Sequence, residues 1–252
     1  VSSSGITVRD IEGLDPVAAS LSTSSMAQQD GAQPQNARRD TRNILMKLGL
    51  EPDWLSQTPQ SLREQLYDYL MTKANVTLTF YRDDQAFATT EAQVEDFQAP
   101  LFSSDPEADV SVICYDPDFY GFIQEVDSNT RSDQIPEIIT YDGSSPAGII
   151  FSMQVDRPMS EVTLYNRTPA NVIQKMVIAG TWNLGDNLVV NTNPGQFAVT
   201  LIHNGLPIPA ITGLDLTSDW LSLEKGDNEF RAVTAVTGTP YVLTYVPKYG
   251  GL

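Results

Sequence analysis

Apolar and polar residues alternate along much of the first half of the chain. Ile44, Met46, Leu48 and Leu50 keep strict period two, which predicts a strand with one buried face. Val76, Leu78 and Phe80 repeat the pattern, and so do Val110, Val112 and Cys114. Ile6, Val8 and Ile11 follow it more loosely, and Val94 and Phe97 mark a further strand. The period changes once. Thr58-Pro59 offers an N-cap and a proline at the first helical position. Leu62, Leu66, Tyr69 and Leu70 then share one helical stripe, so a helix is expected near Thr58–Thr72. Ser20 to Asn36 is rich in Ser, Gln and Ala and contains Asp30-Gly31 and Pro34; it reads as a long exposed loop or arm. Arg38, Arg39 and Arg42 follow it as a basic cluster.

The second half reads as strand and turn throughout. Predicted strands are Gly148–Val155, Glu161–Tyr165, Val172–Val177, Asn187–Asn191, Phe197–Ile202, Glu229–Val233 and Tyr241–Tyr245. Gly185-Asp186-Asn187, Asn193-Pro194-Gly195, Asn204-Gly205 and Lys225-Gly226-Asp227 punctuate them. Seven or so short strands with such turns predict an antiparallel β-sandwich. The polar stretch Asp127–Ser145, with Pro136 and Gly143, suits a linker. The expected domains are therefore residues 1–140, mainly β with one helix, and residues 141–252, a β-sandwich. Residues 246–252 are a candidate tail that packs back on the first domain.

Composition narrows the function. The 252 residues carry 15 Lys+Arg against 32 Asp+Glu, a net charge of −17. Residues 1–135 hold 22 acidic and 9 basic side chains, against 10 and 6 in residues 136–252. A nucleic-acid-binding surface needs a basic footprint, and so does adhesion to anionic lipid. The expected partners therefore exclude specifically bound nucleic acid and an inserted membrane. The opening Val1-Ser2-Ser3-Ser4-Gly5 lacks the basic and apolar stretches of a secretory signal, and one cysteine, Cys114, leaves no intrachain disulfide to form. Both point to production in a reducing cytoplasm.

The catalytic inventory is thin. The single histidine, His203, precedes the Asn204-Gly205 hairpin signal and has no second histidine to complete a metal site. Cys114 sits on a predicted buried strand face and reads as a core residue. Acidic pairs such as Asp83-Asp84 and Asp116/Asp118 are expected from the carboxylate content alone. No catalytic, cofactor-binding or metal-ligating residue is assigned and no cofactor is expected; the protein reads as a non-enzyme. Trp182, Trp220 and Tyr245 read first as core or edge packing of a small sandwich, with stacking on a sugar ring as the alternative.

In this order the segments resemble the distal tail protein (Dit) family of long-tailed, siphovirus-type bacteriophages. In the first half the resemblance runs through Gly5-Ile6-Thr7-Val8-Arg9-Asp10-Ile11-Glu12-Gly13-Leu14, Asp30-Gly31, the strand Arg42–Leu50, Leu62-Arg63-Glu64-Gln65-Leu66 and Cys114-Tyr115-Asp116-Pro117-Asp118-Phe119. In the second half it runs through Gly185-Asp186-Asn187-Leu188-Val189-Val190-Asn191-Thr192, Trp220-Leu221-Ser222-Leu223-Glu224-Lys225-Gly226-Asp227-Asn228 and Tyr249-Gly250-Gly251-Leu252. The resemblance implies a β-sandwich-like N-terminal domain with one helix that forms a homohexameric ring, and a galectin-like C-terminal sandwich. It implies a virion protein of the tail tip, placed between the tail tube protein and the tail hub or fibre protein. Such a ring is an adsorption-apparatus platform whose lumen passes DNA. Arg38, Arg39 and Arg42 are the expected subunit-interface residues. The alternative is a carbohydrate- or receptor-binding module acting in host recognition through its tryptophans.

Overall fold

The computed structural model describes residues 5–25, 30–100, 104–131, 135–235 and 237–252. The chain divides into two compact units, Val1–Phe119 with Gly250–Leu252, and Tyr120–Tyr249.

The first unit contains β1 (Ile6–Glu12), β2 (Ala19–Ser24), β3 (Gln33–Arg39), β4 (Arg42–Leu50), α1 (Pro59–Leu70), β5 (Asn75–Arg82), β6 (Gln85–Gln98) and β7 (Glu107–Cys114). The two-residue β8 (Phe119–Tyr120) spans the division. Five of these strands form an antiparallel sheet in the order β1-β4-β7-β6-β5. Ile44 lies opposite Val112, Met46 opposite Val110 and Leu48 opposite Ala108, and all six are buried. Period two in both strands thus puts two apolar rows on one face. Helix α1 begins as expected: Thr58 Oγ1 accepts from the Ser61 N–H (3.1 Å) and Ser61 Oγ accepts from the Thr58 N–H (3.0 Å). Leu62 and Leu66 are buried, but the stripe does not continue straight. Tyr69, expected on the apolar face, is 69% exposed; Tyr67 takes its place with its ring 5.1 Å from that of Phe97. Leu70, in the last turn, is half-buried, so the stripe tilts from Tyr69 toward Tyr67 at its end.

The second unit contains β9 (Gln124–Asn129), β10 (Glu137–Tyr141), β11 (Ala147–Gln154), β12 (Met159–Arg167), β13 (Ile173–Trp182), β14 (Asn187–Asn191), β15 (Ala198–His203), β16 (Leu206–Pro209), β17 (Ser222–Leu223), β18 (Gly226–Thr234), β19 (Pro240–Tyr245) and β20 (Lys248–Tyr249). One sheet runs β10-β18-β12-β13 and the other β16-β15-β14-β11-β19-β9. Their inner faces share one core, in which the rings of Phe151, Phe230 and Tyr241 lie 5.1–6.2 Å apart. This is the antiparallel sandwich the turn spacing predicts; the one helical element among its described residues is the short 3₁₀ turn Ile211–Gly213. Asn204 and Gly205 both have positive φ (50° and 77°), as a two-residue hairpin turn between β15 and β16 requires.

The boundary differs from the expected 140/141. Residues 127–129 and 137–141 are not linker: β9 pairs with β19 and β10 with β18, each at a sheet edge, and residues 132–134 lie outside the described residues. Edge strands carry polar and charged side chains because one flank meets water. That polarity is what resembles a linker in the sequence.

Candidate functional site

Among the described residues no group of three His, Cys, Asp or Glu side chains could hold a metal ion. What the first unit offers is surface. The hairpin β2–β3 pairs only with itself, Ala19 opposite Arg39 through Ser24 opposite Gln33. Its residues are exposed on both strands except Ser24, which is half-buried, and Leu21 is 72% exposed. The expected arm is therefore a ladder; residues 26–29 of it lie outside the described residues. An isolated two-stranded hairpin is marginally stable in water. This one is held at its base, where Ser20 Oγ donates to the Asp40 carboxylate (2.8 Å) and the Asp40 N–H to the Ala18 carbonyl (3.2 Å).

The three arginines separate. Arg38 is exposed, with Asp40 at 3.7 Å. Arg39 makes a two-pronged pair with the buried Asp118 carboxylate (2.5 and 2.7 Å). Arg42 is 1% exposed inside the first unit, so it is no contact residue. Its backbone position on β4 continues the row of Ile44 and Met46, and period two turns it inward.

The solvent face of the sheet is acidic. Asp10, Glu12, Leu45, Lys47, Asp96, Asp109 and Ser111 line a shallow groove of about 380 Å³. Lys47 lies opposite both Asp10 and Asp109, so one cation is flanked by carboxylates on either strand. Ser111 donates to Glu95 (2.9 Å), and the bulge between Val94 and Asp96 adds the second carboxylate there. Near one edge Arg9 gathers Asp105 (2.6 Å), Glu107 (2.5 Å) and Glu51 (3.7 Å). Its guanidinium holds the Asp105 carboxyl below the usual range.

Sequence reasoning missed one feature. Trp54 is 76% and Leu55 97% exposed. Asp53 builds the turn that presents them, its carbonyl accepting from the Ser56 and Gln57 N–H groups and its carboxylate from the Leu55 N–H and Ser56 Oγ. The signal was legible: an apolar pair between an Asp and a Ser, just before an N-cap, is Asx-turn chemistry.

In the second unit the proposed sugar platform does not assemble. Trp182 is 2% exposed and Tyr245 9%; both belong to the core. The end of β13 turns Trp182 inward, and tryptophan's large apolar area favours that place. Trp220 is half-buried and stacks on Phe197, ring centres 4.5 Å apart. His203 closes a turn: its Nδ1 lies 2.7 Å from Asp186 Oδ1. The Asn183 N–H, and then His203, lower the pKa of Asp186. Cys114 is fully buried as expected, and burial pushes its thiol up.

Residues 142–249, within the second unit, match the siphovirus-type tail component, C-terminal domain. Over nearly its whole length the chain has the fold of SPP1 Dit, described as a paradigm of the hub adsorption apparatus in phages that infect Gram-positive hosts: TM-score 0.69, 17% identity, 96% of this chain and 93% of that one covered. The likeness to the distal tail protein family drawn from the sequence is thereby borne out, as is the mainly β class with one α-helix. Chains of the phage P2 baseplate, in its activated conformation with Ca, give a TM-score of 0.46 at 9% identity, covering 98% of this chain and 92% of that one. The same baseplate with Sr gives 0.45 at 10% identity with the same coverage. No curated protein matches the chain. No helix among the described residues is long and apolar enough to cross a membrane.

Proposed function

We propose that the chain is a structural subunit of the tail tip, six copies of which close into a ring through the first unit. The ring joins the tail tube protein to the tail hub or fibre protein, carries the adsorption apparatus and passes DNA through its lumen. It is assembled in the host cytoplasm and acts in the virion without catalysis. The observation that carries this reading is the Dit fold over nearly the whole chain, joined to the tail-component match of residues 142–249. The exposed hairpin supports it, because a bare ladder gains stability when a neighbouring subunit covers it. A closed ring needs heterologous contacts, where one face meets a different face of the next copy. Arg38 and Arg39, at the hairpin base, are the interface residues of this reading.

The acidic sheet face supplies the lumen wall. The first unit has 19 acidic and 8 basic side chains, net −11. Asp10, Glu12, Asp96 and Asp109 concentrate part of that charge on one face. DNA carries a phosphate charge every ~1.7 Å of axis, so such a wall repels the duplex and keeps it sliding, within a screening length of ~8 Å. Native mass spectrometry and negative-stain imaging of the purified chain test the ring. A six-fold ring is expected. A monomer, or a lumen lined by Lys and Arg with affinity for duplex DNA at physiological salt, would overturn the reading.

A further inference from the structure

The buried guanidinium of Arg42 is satisfied by backbone carbonyls from three other stretches of chain. Nε donates to Pro117 O (2.9 Å), Nη1 to Gly13 O (2.5 Å) and Asp15 O (2.7 Å), and Nη2 to Gly250 O (2.6 Å). Its plane also lies 4.2 Å from the centre of the Phe119 ring. Residues 13–15, 117–119 and 250 are far apart in sequence, and one cation gathers them. A buried charge is tolerated when hydrogen bonds replace its water, and here one of the carbonyls that do so comes from Gly250–Leu252. That segment is held twice more. The Leu252 N–H donates to Leu14 O (3.1 Å), closing the ladder beside the same stretch. Gly251 has no room for a side chain, since a Cβ there would meet Pro16 Cδ at 2.8 Å and Leu14 O at 3.1 Å.

The order of synthesis gives this arrangement a consequence. The first unit is interrupted by the whole of Tyr120–Tyr249, and its last piece, Gly250–Leu252, is made after the second unit. We propose that Gly250–Leu252 is a clasp that completes the first unit around Arg42, so that chains stopped before it cannot join the assembly. Until the clasp arrives, Arg42 is a buried cation with a donor aimed at nothing, and the first unit stays loosened at Gly13–Asp15 and Pro117–Phe119. The loosened stretches flank the hairpin: Asp15 precedes β2 by a few residues, and Asp118 is the carboxylate that grips Arg39. An incomplete chain therefore presents a mispositioned arm. The assembly half of this inference rests on the ring reading above; the folding half does not.

Hydrogen exchange on the full chain and on a chain stopped after Tyr249 separates the two. Removing a hydrogen bond to a buried charged group shifts local opening by about tenfold or more. Amides of β4 and β7 are expected to exchange at least about tenfold faster in the shortened chain, while β12 and β18 keep wild-type protection. In an Arg42→Met background the same truncation is expected to change exchange only about threefold, the part due to the lost Leu252–Leu14 hydrogen bond, because no cation is left to strand. Should Arg42→Met fail to fold, Gly251→Ala serves: it keeps the chain length, crowds Pro16, and is expected to loosen β4 and β7 alone. Unchanged protection on truncation, or equal acceleration in both backgrounds, would overturn the clasp. Sedimentation reads the assembly half: a shortened chain that assembles as the full chain does refutes the restriction. A full chain that never assembles refutes the ring and leaves the exchange result standing.

Discussion

The two units solve the problem of a β-sheet's bare face differently. The second unit stacks two sheets and buries both inner faces in one core; at its centre Phe151, Leu164, Met176, Leu188, Val190 and Leu243 are fully buried. The first unit has one main sheet with a single helix beside it. It leaves outside a hairpin with no cover, an acidic face and the presented pair Trp54 and Leu55. The sandwich shares one core between two sheets, yet it too leaves large apolar side chains in solvent, among them Leu184, Leu206 and Leu216. Charge follows the same division: net −11 in the first unit against 13 acidic and 7 basic side chains, net −6, in the second.

The largest effect is expected from emptying the sandwich core. Phe151→Ala removes a fully buried ring packed on Tyr241 and Phe230 and should cost about 3–5 kcal/mol. Trp182 and Trp220 sit in the second unit, so fluorescence during urea unfolding follows that unit, and hydrogen exchange of β4 and β7 over the same urea range follows the first. The loss should fall on the second unit's transition; equal loss in the first would break the comparison. Arg39→Met leaves the buried Asp118 carboxylate without its two-pronged partner and should cost about 2 kcal/mol in the first unit. Asp118→Asn in the same chain should restore part of that, since the stranded charge is gone. Thr58→Ala removes the N-cap of α1 and should cost about 1 kcal/mol, again in the first unit, read by the same hydrogen exchange.

Acid gives a gentler contrast. In the second unit Arg157 and Thr239 hold Asp156 at about 2, while Asp186 and Asp215 are also depressed by hydrogen bonds. In the first unit Asp105 is depressed by Arg9. A carboxyl whose folded pKa lies below its unfolded value near 3.9 stabilises the fold above that pH and loses the contribution as pH falls toward its folded value. Between about pH 4 and pH 2 the second unit should therefore lose more stability than the first, followed by circular dichroism of variants in which Asp156 or Asp105 is replaced by Asn. The smallest effect on stability is expected from replacing residues 21–37 by a short Gly-Ser turn. Neither unit should change by more than about 0.5 kcal/mol, because the described residues of this stretch are exposed apart from Ser24, yet assembly should be lost. An unchanged oligomer on a sizing column would remove the hairpin from the interface.

What could be read from the residue order alone was local. Period two placed β4 and β7 and the inward turn of Cys114, because a strand's side chains alternate whatever lies beyond. Thr58-Pro59 marked the start of α1, and Asn204-Gly205 the hairpin, because caps and turns are satisfied by neighbours within four residues. The Dit likeness was also legible, carried by short segments in a fixed order. Tertiary structure decided the rest. Arg42 looked like one more exposed arginine, and its burial depended on carbonyls as distant as Pro117 and Gly250. Trp182 could have been core or platform by its residue type and is core, while Trp54, in no predicted element, stands in solvent. Residues 127–129 and 137–141 of the polar run belong to two edge strands because β18 and β19, about a hundred residues later, supplied partners. Burial and strand pairing are set by which distant stretches meet, and local pattern holds no information on that meeting; where a residue's environment comes from its own few neighbours, the sequence alone determines it.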